Sequence, residues 1–201
     1  MDVQDLVARY AAGLFPMDDP EADELPWWVA DPRAVFELDD ASLDALERRV
    51  RRSLRAAEPS WTLVTDQHFD RVIEHCSPAR AEGEGVWLTP RMHEMYRTLN
   101  ASGLAHTFEL VDGDELLAGI VGVTLGRAAM LESMCHWHSH AGNVLLVRTL
   151  RALADAGCEL CDLQMVTPHT ERLGARLIPR DEYDSRLAAA LHLPAGHHGA
   201  G

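Results

Sequence analysis

The sequence predicts an α+β protein, and the prediction starts from three strand-like segments in its second half. They follow one another at about 106–111, 115–125 and 127–135; each is rich in apolar residues, and the first two also contain β-branched residues. The letters "DGD" at 112–114 are typical of a tight hairpin turn between the first two segments. We therefore expect an antiparallel meander of three strands.

A long helix and a fourth strand extend this sheet. The largely apolar segment 142–156 has the periodicity of a buried helix, and Gly157 is a typical helix end. A strand-like segment follows at 158–164, and a last helix is predicted over 179–191. The strand after the long helix can then insert beside the third meander strand. This mixed sheet with flanking helices is similar to the GCN5-related N-acyltransferase architecture.

The first 60 residues are predicted to form a small N-terminal α/β domain. A short amphipathic helix over 2–13, a strand at about 34–38, and a helix that Ser42 caps and that runs to about Arg55 account for it.

The rest of the chain is divided into an acyltransferase-like domain over 61–191 and a disordered tail over 192–201. The larger domain also contains a strand at 61–65 and helices at 66–76 and 89–102.

Charge and composition narrow the function classes. The formal net charge of −14 argues against indiscriminate nucleic-acid binding and favours basic or neutral partners. All 18 basic residues are Arg, which excludes a catalytic Lys, a Schiff base and a P-loop. No apolar run reaches the roughly 20 residues of a membrane span, the N-terminus is acidic, and four Cys fit reduced thiols. We expect a cytoplasmic protein with no membrane partner.

Two otherwise apolar strands carry central polar residues. Glu132 lies in "AAMLESMC", and Asp162 and Gln164 share one face of "CELCDLQ". A buried carboxylate needs a partner or a purpose. If the two strands are neighbours, the three side chains line one polar patch. Strand alternation further predicts that Glu132, Met134 and His136 point to the same side.

The stretch "LESMCHWHSH" at 131–140 raises the alternative of a metal site. A zinc ion needs three or four converging ligands, and His136, His138 and His140 converge only if the strand stays regular through this stretch. Since a loop from strand to helix fits the stretch equally well, we expect no metal.

Eight motifs, in order, carry a resemblance to a known family. The chain resembles the leucyl/phenylalanyl-tRNA–protein transferases in "YAAGLFPM" (10–17), "WWVADPRAV" (27–35), "VWLTPRM" (86–92), "LAHTFELV" (104–111), "ESM" (132–134), "DLQ" (162–164), "HTERLGA" (169–175) and "IPR" (178–180).

The resemblance implies an activity and its partners. Such enzymes transfer Leu or Phe from aminoacyl-tRNA to the α-amine of a protein that begins with Arg or Lys, which marks that protein for degradation. Neither metal nor coenzyme A takes part, so no cofactor is expected. We also expect a monomer.

The same resemblance assigns the polar patch to catalysis. It places Asp162 and Gln164 at the acceptor amine, with Asp162 orienting Gln164 or stabilising the ammonium, and leaves open which group takes the proton. Glu132 matches an acidic position that could attract the basic side chain of the acceptor, because a guanidinium can be gripped bidentately.

Further residues are assigned to the donor. Met134 would form the wall of the donor pocket together with Ile120 and Met130, and Trp87 and Met17 would hold the terminal adenosine. Four arginines on one helix face would contact tRNA phosphates without reading sequence: Arg48, Arg51, Arg52 and Arg55.

The chain departs from the family pattern around the ESM motif. Leu131 precedes it, Cys135 and His136 follow it, and Gly142 and Asn143 stand at the next helix start. Two rival functions stay open: an acyl-CoA-dependent N-acyltransferase, and a non-catalytic adaptor that binds basic N-termini. The first would need a glycine-rich pyrophosphate loop, which "HAGNVL" does not supply.

Overall fold

The computed structural model describes residues 2–76 and 88–192. Its strands, in chain order, are β1 (Phe15–Pro16), β2 (Trp27–Trp28), β3 (Arg33–Phe36), β4 (Trp61–Thr65), β5 (Ala105–Asp112), β6 (Glu115–Leu125), β7 (Ala128–His136), β8 (Leu160–Gln164) and β9 (Arg176–Ile178). Its helices are α1 (Val3–Ala11), α2 (Asp40–Arg49), α3 (Arg51–Ala56), α4 (Phe69–His75), α5 (Pro90–Ala101), α6 (Ala141–Asp155), α7 (Pro168–Leu173) and α8 (Arg180–His192).

Seven strands of the described ranges form one mixed sheet in the order β4-β5-β6-β7-β8-β3-β9. The meander β5-β6-β7 is antiparallel, as predicted. Strand β8 pairs in parallel with β7, so the strand after the long helix does insert beside the third meander strand. The predicted α+β class with a GCN5-related N-acyltransferase-like sheet is confirmed.

Helices cover both faces of this sheet and divide the core in two. On the first face, α1, α4, α5 and α8 pack over a cluster that includes Tyr10, Tyr96 and Tyr183. On the second face, α2, α3, α6 and α7 pack over a cluster that includes Ile120 and Leu150. Helix α6 is the main element of the second face because its apolar residues recur at helical spacing and are buried along its whole length.

The N-terminal segment contributes a strand to the main sheet. Strand β3 is hydrogen-bonded between β8 and β9, and both of its pairings are antiparallel. A boundary at residue 60 therefore crosses the sheet, while β1 and β2 form a separate two-stranded ladder. The last residue of α8 is His192, the first residue of the predicted tail, and 193–201 lie outside the described residues.

Two helices begin later or break earlier than the sequence pattern suggests. The expected helix over 42–55 starts at Asp40, with the carboxylate of Asp39 rather than Ser42 as its cap, and it is interrupted at Val50. Helix α4 starts at Phe69 because Asp66 has a left-handed backbone and accepts the N–H of Thr107. No helix in the described part of the chain is long and apolar enough to cross a membrane.

Candidate active site

The centre of the site is a β-bulge in β7. Val121 of β6 pairs with Ser133, but the next residue, Gly122, pairs with Leu131, so that Glu132 is an extra residue in the strand. The extra residue reverses the alternation of side chains. Glu132 therefore interacts with Tyr10 and Tyr96 on the first face. Met134 packs against the cluster on the second face.

The predicted shared orientation of Glu132 and Met134 is thus wrong. Regular alternation holds only for an unbroken ladder, and a bulge shifts it by one residue. The pairing of β7 with β8 also stops at this point, since its last rung joins Met130 to Asp162. Beyond this rung the two parallel strands part, and the polar side chains gather there.

Three polar atoms on the first face converge without partners. Glu132 Oε1, the Tyr10 hydroxyl and the Tyr96 hydroxyl are each buried, and none makes a well-aligned hydrogen bond within the described residues, although the two hydroxyls lie close enough to Glu132 to lower its pKa. An unsatisfied buried polar group costs about 1–3 kcal/mol, so three of them together indicate a place that a polar ligand or water completes. The three atoms come from β7, α1 and α5.

The charge state of Glu132 follows from its surroundings. Burial, and then the negative charge of Asp162, raise the pKa of Glu132 to about 8, while Arg33 and the two tyrosine hydroxyls oppose the shift. Asp162 pairs with Met130, two residues before Glu132, so the two carboxyl groups stand on neighbouring strands. A carboxyl group with this pKa can hold or release a proton near neutral pH.

Asp162 is completely enclosed. Its Oδ1 accepts hydrogen bonds from Arg33 Nε (2.9 Å) and from the backbone N–H of Gln164 (2.7 Å). Its Oδ2 accepts from Arg33 Nη2 (2.6 Å) and from the Tyr183 hydroxyl (2.9 Å). Both side chains of the ion pair are buried. Burial alone would lower the pKa of Arg33, but the hydrogen bonds and charge of Asp162 outweigh it and raise that pKa.

Gln164 closes the end of β8. Its φ is +59°, in the left-handed region, and the N–H of Met165 donates back to Leu163 O at 2.6 Å. When its amide nitrogen is turned toward the sheet, it donates to Leu131 O (3.1 Å) and Leu163 O (2.8 Å). Gln164 therefore bridges β7 and β8 where their ladder ends, beside the bulge at Glu132.

The predicted donor-pocket residues lie on two faces. Ile120 and Met134 are directly opposite each other in the β6–β7 ladder and both contact the second-face cluster. Met130 lies in the first-face cluster instead. Met17 is half-buried, and its carbonyl oxygen accepts the indole N–H of Trp28. Trp87 lies outside the described residues.

The four predicted tRNA-contacting arginines are exposed. None of them forms a salt bridge to another described residue: Arg48, Arg51, Arg52 and Arg55. Helix α3 is attached to the start of α6 through Ser53, whose hydroxyl lies 3.1 Å from His140 Nδ1 and accepts from Asn143 Nδ2 at 3.1 Å. The expected single helix face is thus divided at Val50: Arg48 lies on α2, while Arg51, Arg52 and Arg55 lie on α3, which these contacts attach to α6.

The histidines after the ESM motif have separate surroundings. The His138 ring packs edge-on against Trp61 and His140 contacts Ser53, while His136 is exposed at the end of β7. Within 2–76 and 88–192, no three His, Cys, Asp or Glu side chains are grouped so that they could hold a metal ion.

Two clefts are lined by described residues near the site's rim. One of about 360 Å³ lies between the loop at 23–27, α1 and α5, and Leu6 and Glu94 are among its lining residues. The other, of about 400 Å³, is bordered by Asp18, Thr89 and Arg91. Neither cleft is lined by Glu132, Asp162 or Gln164.

Four residues of this site escaped the sequence analysis. Tyr10, Arg33, Tyr96 and Tyr183 look like ordinary members of apolar helices and strands, because a tyrosine on a helix face is usually core. Arg33 did leave a signal, since a lone arginine directly before the buried run "AVF" needs a buried partner.

Fold and site together define an acyltransferase class. A bulge in the antiparallel β6–β7 ladder lies beside the end of the parallel β7–β8 ladder, and buried carboxyl and amide groups are found there. In agreement, the chain superposes on the crystal structure of FemX with a TM-score of 0.55 at 10% identity, covering 88% of this chain and 66% of that one. This likeness shows the fold.

Sequence comparison gives the particular family. The sequence profile of the leucyl/phenylalanyl-tRNA protein transferases matches residues 38–188. A relative with this name from Anaeromyxobacter dehalogenans (strain 2CP-C) is 42% identical over 96% of this chain and 81% of its own length. Another from Xylella fastidiosa (strain M23) is 38% identical over 96% and 78%. The chain belongs to the leucyl/phenylalanyl-tRNA–protein transferase family and is an aminoacyltransferase, with an aminoacyl-tRNA as donor and a protein as acceptor.

Proposed function

We propose that this enzyme transfers Leu, and also Phe or Met, to the N-terminal α-amine of proteins that begin with Arg or Lys. The observation that carries the acceptor preference is the convergence of Glu132 Oε1 with the hydroxyls of Tyr10 and Tyr96, all three buried and without a well-aligned hydrogen bond in the described chain. A guanidinium or ammonium group supplies the positive charge that this cluster lacks and N–H groups that its oxygen atoms can accept.

The reaction requires a neutral amine beside an ester. The ester that joins the amino acid to the terminal ribose is already activated, so the enzyme mainly positions two substrates. The amine nitrogen attacks the ester carbonyl carbon, and the bond from that carbon to the ribose oxygen breaks. The proton that the amine loses ends on the ribose oxygen, which becomes a hydroxyl. An α-amine has a pKa of about 7.7–8.0, so little driving force is needed for a nearby group to remove its proton.

The polar residues divide this work among them. The nitrogen of the Gln164 amide is directed at the carbonyls of Leu131 and Leu163, so its oxygen is the group it can offer to an N–H of the amine. Because a bound cation favours the ionised form of Glu132, whose pKa is about 8 without a ligand, Glu132 is assigned to attract the acceptor's basic side chain. Asp162 orients Gln164 through its backbone N–H.

Donor binding is assigned to the second face of the sheet and to the exposed arginines of α2 and α3. Ile120 and Met134 offer an adaptable apolar wall where the strands part, and Met17 and Trp87 take the terminal adenosine. Met130 lies on the other face and would contact the donor only through the strand opening. Four exposed arginines, which form no salt bridge within 2–76 and 88–192, are assigned to the acceptor-stem phosphates: Arg48, Arg51, Arg52 and Arg55.

We infer a wider role from the same acceptor preference. Adding a bulky apolar residue to a basic N-terminus converts one terminal signal into another, and this fits tagging for degradation along an N-degron route. The enzyme would act as a cytoplasmic monomer without a cofactor, and with no membrane partner.

A transfer assay tests the proposal directly. tRNA charged with labelled Leu, Phe or Met is offered with peptides that begin with Arg, Lys or Glu and are otherwise identical. Label should move to the Arg and Lys peptides and not to the Glu peptide. Arg-peptide binding without label transfer would instead support an adaptor, and activity with acyl-CoA in place of tRNA would support the coenzyme-dependent alternative.

A further inference from the structure

Asp162 has no hydrogen-bonding capacity left for a substrate. An ionised carboxylate offers about four lone-pair positions, and Asp162 fills them with two N–H groups of Arg33, the Tyr183 hydroxyl and the backbone N–H of Gln164. An incoming amine could reach Asp162 only by displacing one of these donors. Asp162 therefore acts on the reaction through the groups that it holds.

One of those groups is the backbone of Gln164, which is strained. A φ of +59° is rare for a residue other than Gly, Asn or Asp, and such conformations persist where the surroundings over-determine them. Two contacts do so here. Asp162 Oδ1 fixes the Gln164 N–H at 2.7 Å, and the side-chain amide is held against Leu131 O and Leu163 O.

The guanidinium of Arg33 is in turn held by two aromatic rings and a backbone carbonyl. Its guanidinium carbon lies 4.8 Å from the centre of the Phe15 ring and 4.5 Å from that of Tyr183, and Nη1 donates to Gly13 O at 3.0 Å. Arg33 is fully buried, and Tyr183 is too. The Arg33 guanidinium is fixed between the two rings, and its two N–H groups hold the Asp162 carboxylate in one orientation. The single ammonium of Lys could not do this.

We propose that Arg33 and Tyr183 are positioning residues for the aminoacyl transfer, which act through Asp162 to hold the Gln164 amide where β7 and β8 part. The proposal rests on the role of Gln164 in the function proposed above. It adds two residues, one on β3 and one on α8, and both are fully buried. The position of the Gln164 amide thus depends on the aromatic stacking, the charge and the hydrogen bonds of Arg33.

The first test reports on Gln164 itself and needs no turnover. The chain has three glutamines, Gln4, Gln67 and Gln164, so selective ¹⁵N-glutamine labelling gives three side-chain amide pairs. The Gln164 pair, assigned by its loss in Gln164→Ala, should exchange slowly with solvent because it is hydrogen-bonded. In Arg33→Lys it should shift and exchange at least about tenfold faster, with the other two pairs unchanged.

Tyr183→Phe gives the milder version of this test. It removes one hydroxyl and keeps the ring that stacks on Arg33, so the fold is retained and the Gln164 pair should shift in the same direction. If the Gln164 signals stay unchanged in both Arg33→Lys and Tyr183→Phe, the proposal is overturned, whether or not the protein transfers amino acids.

The second test is kinetic. Tyr183→Phe should lower kcat by about 10- to 10²-fold and leave KM for aminoacyl-tRNA within about twofold. In a double-mutant cycle with Asp162→Asn the two losses should be strongly non-additive, because Tyr183 acts through Asp162. Additive losses, or full kcat in Tyr183→Phe, would contradict the proposal.

A matched control separates positioning from stability. Leu153→Ala removes a buried side chain of α6 on the second face and should lower Tm without a change in kcat. A wild-type enzyme that transfers no label would defeat the proposed function, while the Gln164 signals would still decide whether Arg33 and Tyr183 position this amide.

Discussion

Glu132 and Met134 stand two residues apart on β7 and point to opposite faces of the sheet, because the bulge makes Glu132 an extra residue. Under the function proposed above, the acceptor's basic group at Glu132 and the donor's apolar side chain at Met134 would then lie on opposite faces of the sheet. The bulge stands beside the last rung of the β7–β8 ladder.

The raised pKa of Glu132 predicts a pH-dependent stability. Its folded pKa of about 8 lies above the unfolded value of about 4.3, so between these pH values the folded state binds the extra proton. Stability contributed by this group is full below about pH 4 and is lost as pH rises to about 8. Because Gln does not titrate, Glu132→Gln should not lose stability in this way as the pH rises.

Thermal unfolding measured from pH 5 to pH 9 checks the sign. The Tm of Glu132→Gln should exceed that of the wild type by an amount that grows with pH and levels off above about pH 8. Each kcal/mol of difference in the free energy of unfolding corresponds to roughly 2–4 °C in Tm. Parallel Tm profiles for the two proteins would show that Glu132 titrates at its ordinary value.

Acceptor binding should also depend on this proton. A cationic side chain binds the ionised form of Glu132, and below about pH 8 the carboxyl must first release its proton. The Kd of an Arg-initiated peptide, measured by calorimetry, should fall up to about tenfold per pH unit between pH 6 and pH 8. Glu132→Gln should bind weakly at every pH, and a Glu-initiated peptide is the control.

The sequence predicted those parts of the fold that depend on periodicity. The meander, the long helix and the insertion of β8 follow from apolar patterns and turn residues that act locally. It could not predict that β3 lies between β8 and β9, because this pairing joins residues that are far apart in the chain.

The candidate site was predictable only in the polar residues of β7 and β8. Glu132, Asp162 and Gln164 are polar residues in apolar strands, which is visible in the sequence. The bulge at Glu132 is not visible there, and one inserted residue was enough to reverse the predicted side of Met134. Tyr10 and Tyr96 could be joined to Glu132 only by knowing how α1 and α5 pack on the sheet.

Donor selectivity should respond to Met134 and not to Met130. Met134→Ala enlarges the second-face wall and should raise KM for leucyl-tRNA about tenfold, since a few lost methylenes are worth about 1–3 kcal/mol. Met130→Ala removes a fully buried side chain on the first face and should lower the free energy of unfolding by about 2–5 kcal/mol without changing the Leu-to-Phe ratio of kcat/KM. Equal changes of that ratio in both variants would argue against a second-face donor pocket.

Binding of tRNA should lose salt sensitivity when the arginine face is changed. Arg52→Glu should weaken binding and reduce the slope of log K against log salt by about 1 or more, because fewer counterions are released. Arg97→Glu is the control of equal charge change: Arg97 is exposed on α5 and paired with Asp70. The same loss of slope in Arg97→Glu would point to the net charge of the protein rather than to a local contact.

Asp162→Ala and Gln164→Ala should both depress transfer, but they should differ sharply in stability. Removing the carboxylate leaves the buried Arg33 charge without a partner, which costs about 3–5 kcal/mol. Gln164→Ala removes no charge but leaves two carbonyls without their donor, so it should lower the free energy of unfolding by about 1–2 kcal/mol. Gln164→Gly should be more stable than Gln164→Ala by about 1–2 kcal/mol, because Gly adopts a φ of +59° without strain. Urea unfolding should rank the three variants by stability as Gln164→Gly, then Gln164→Ala, then Asp162→Ala. If Asp162→Ala were as stable as Gln164→Ala, the Arg33–Asp162 ion pair would not be a buried, closed contact.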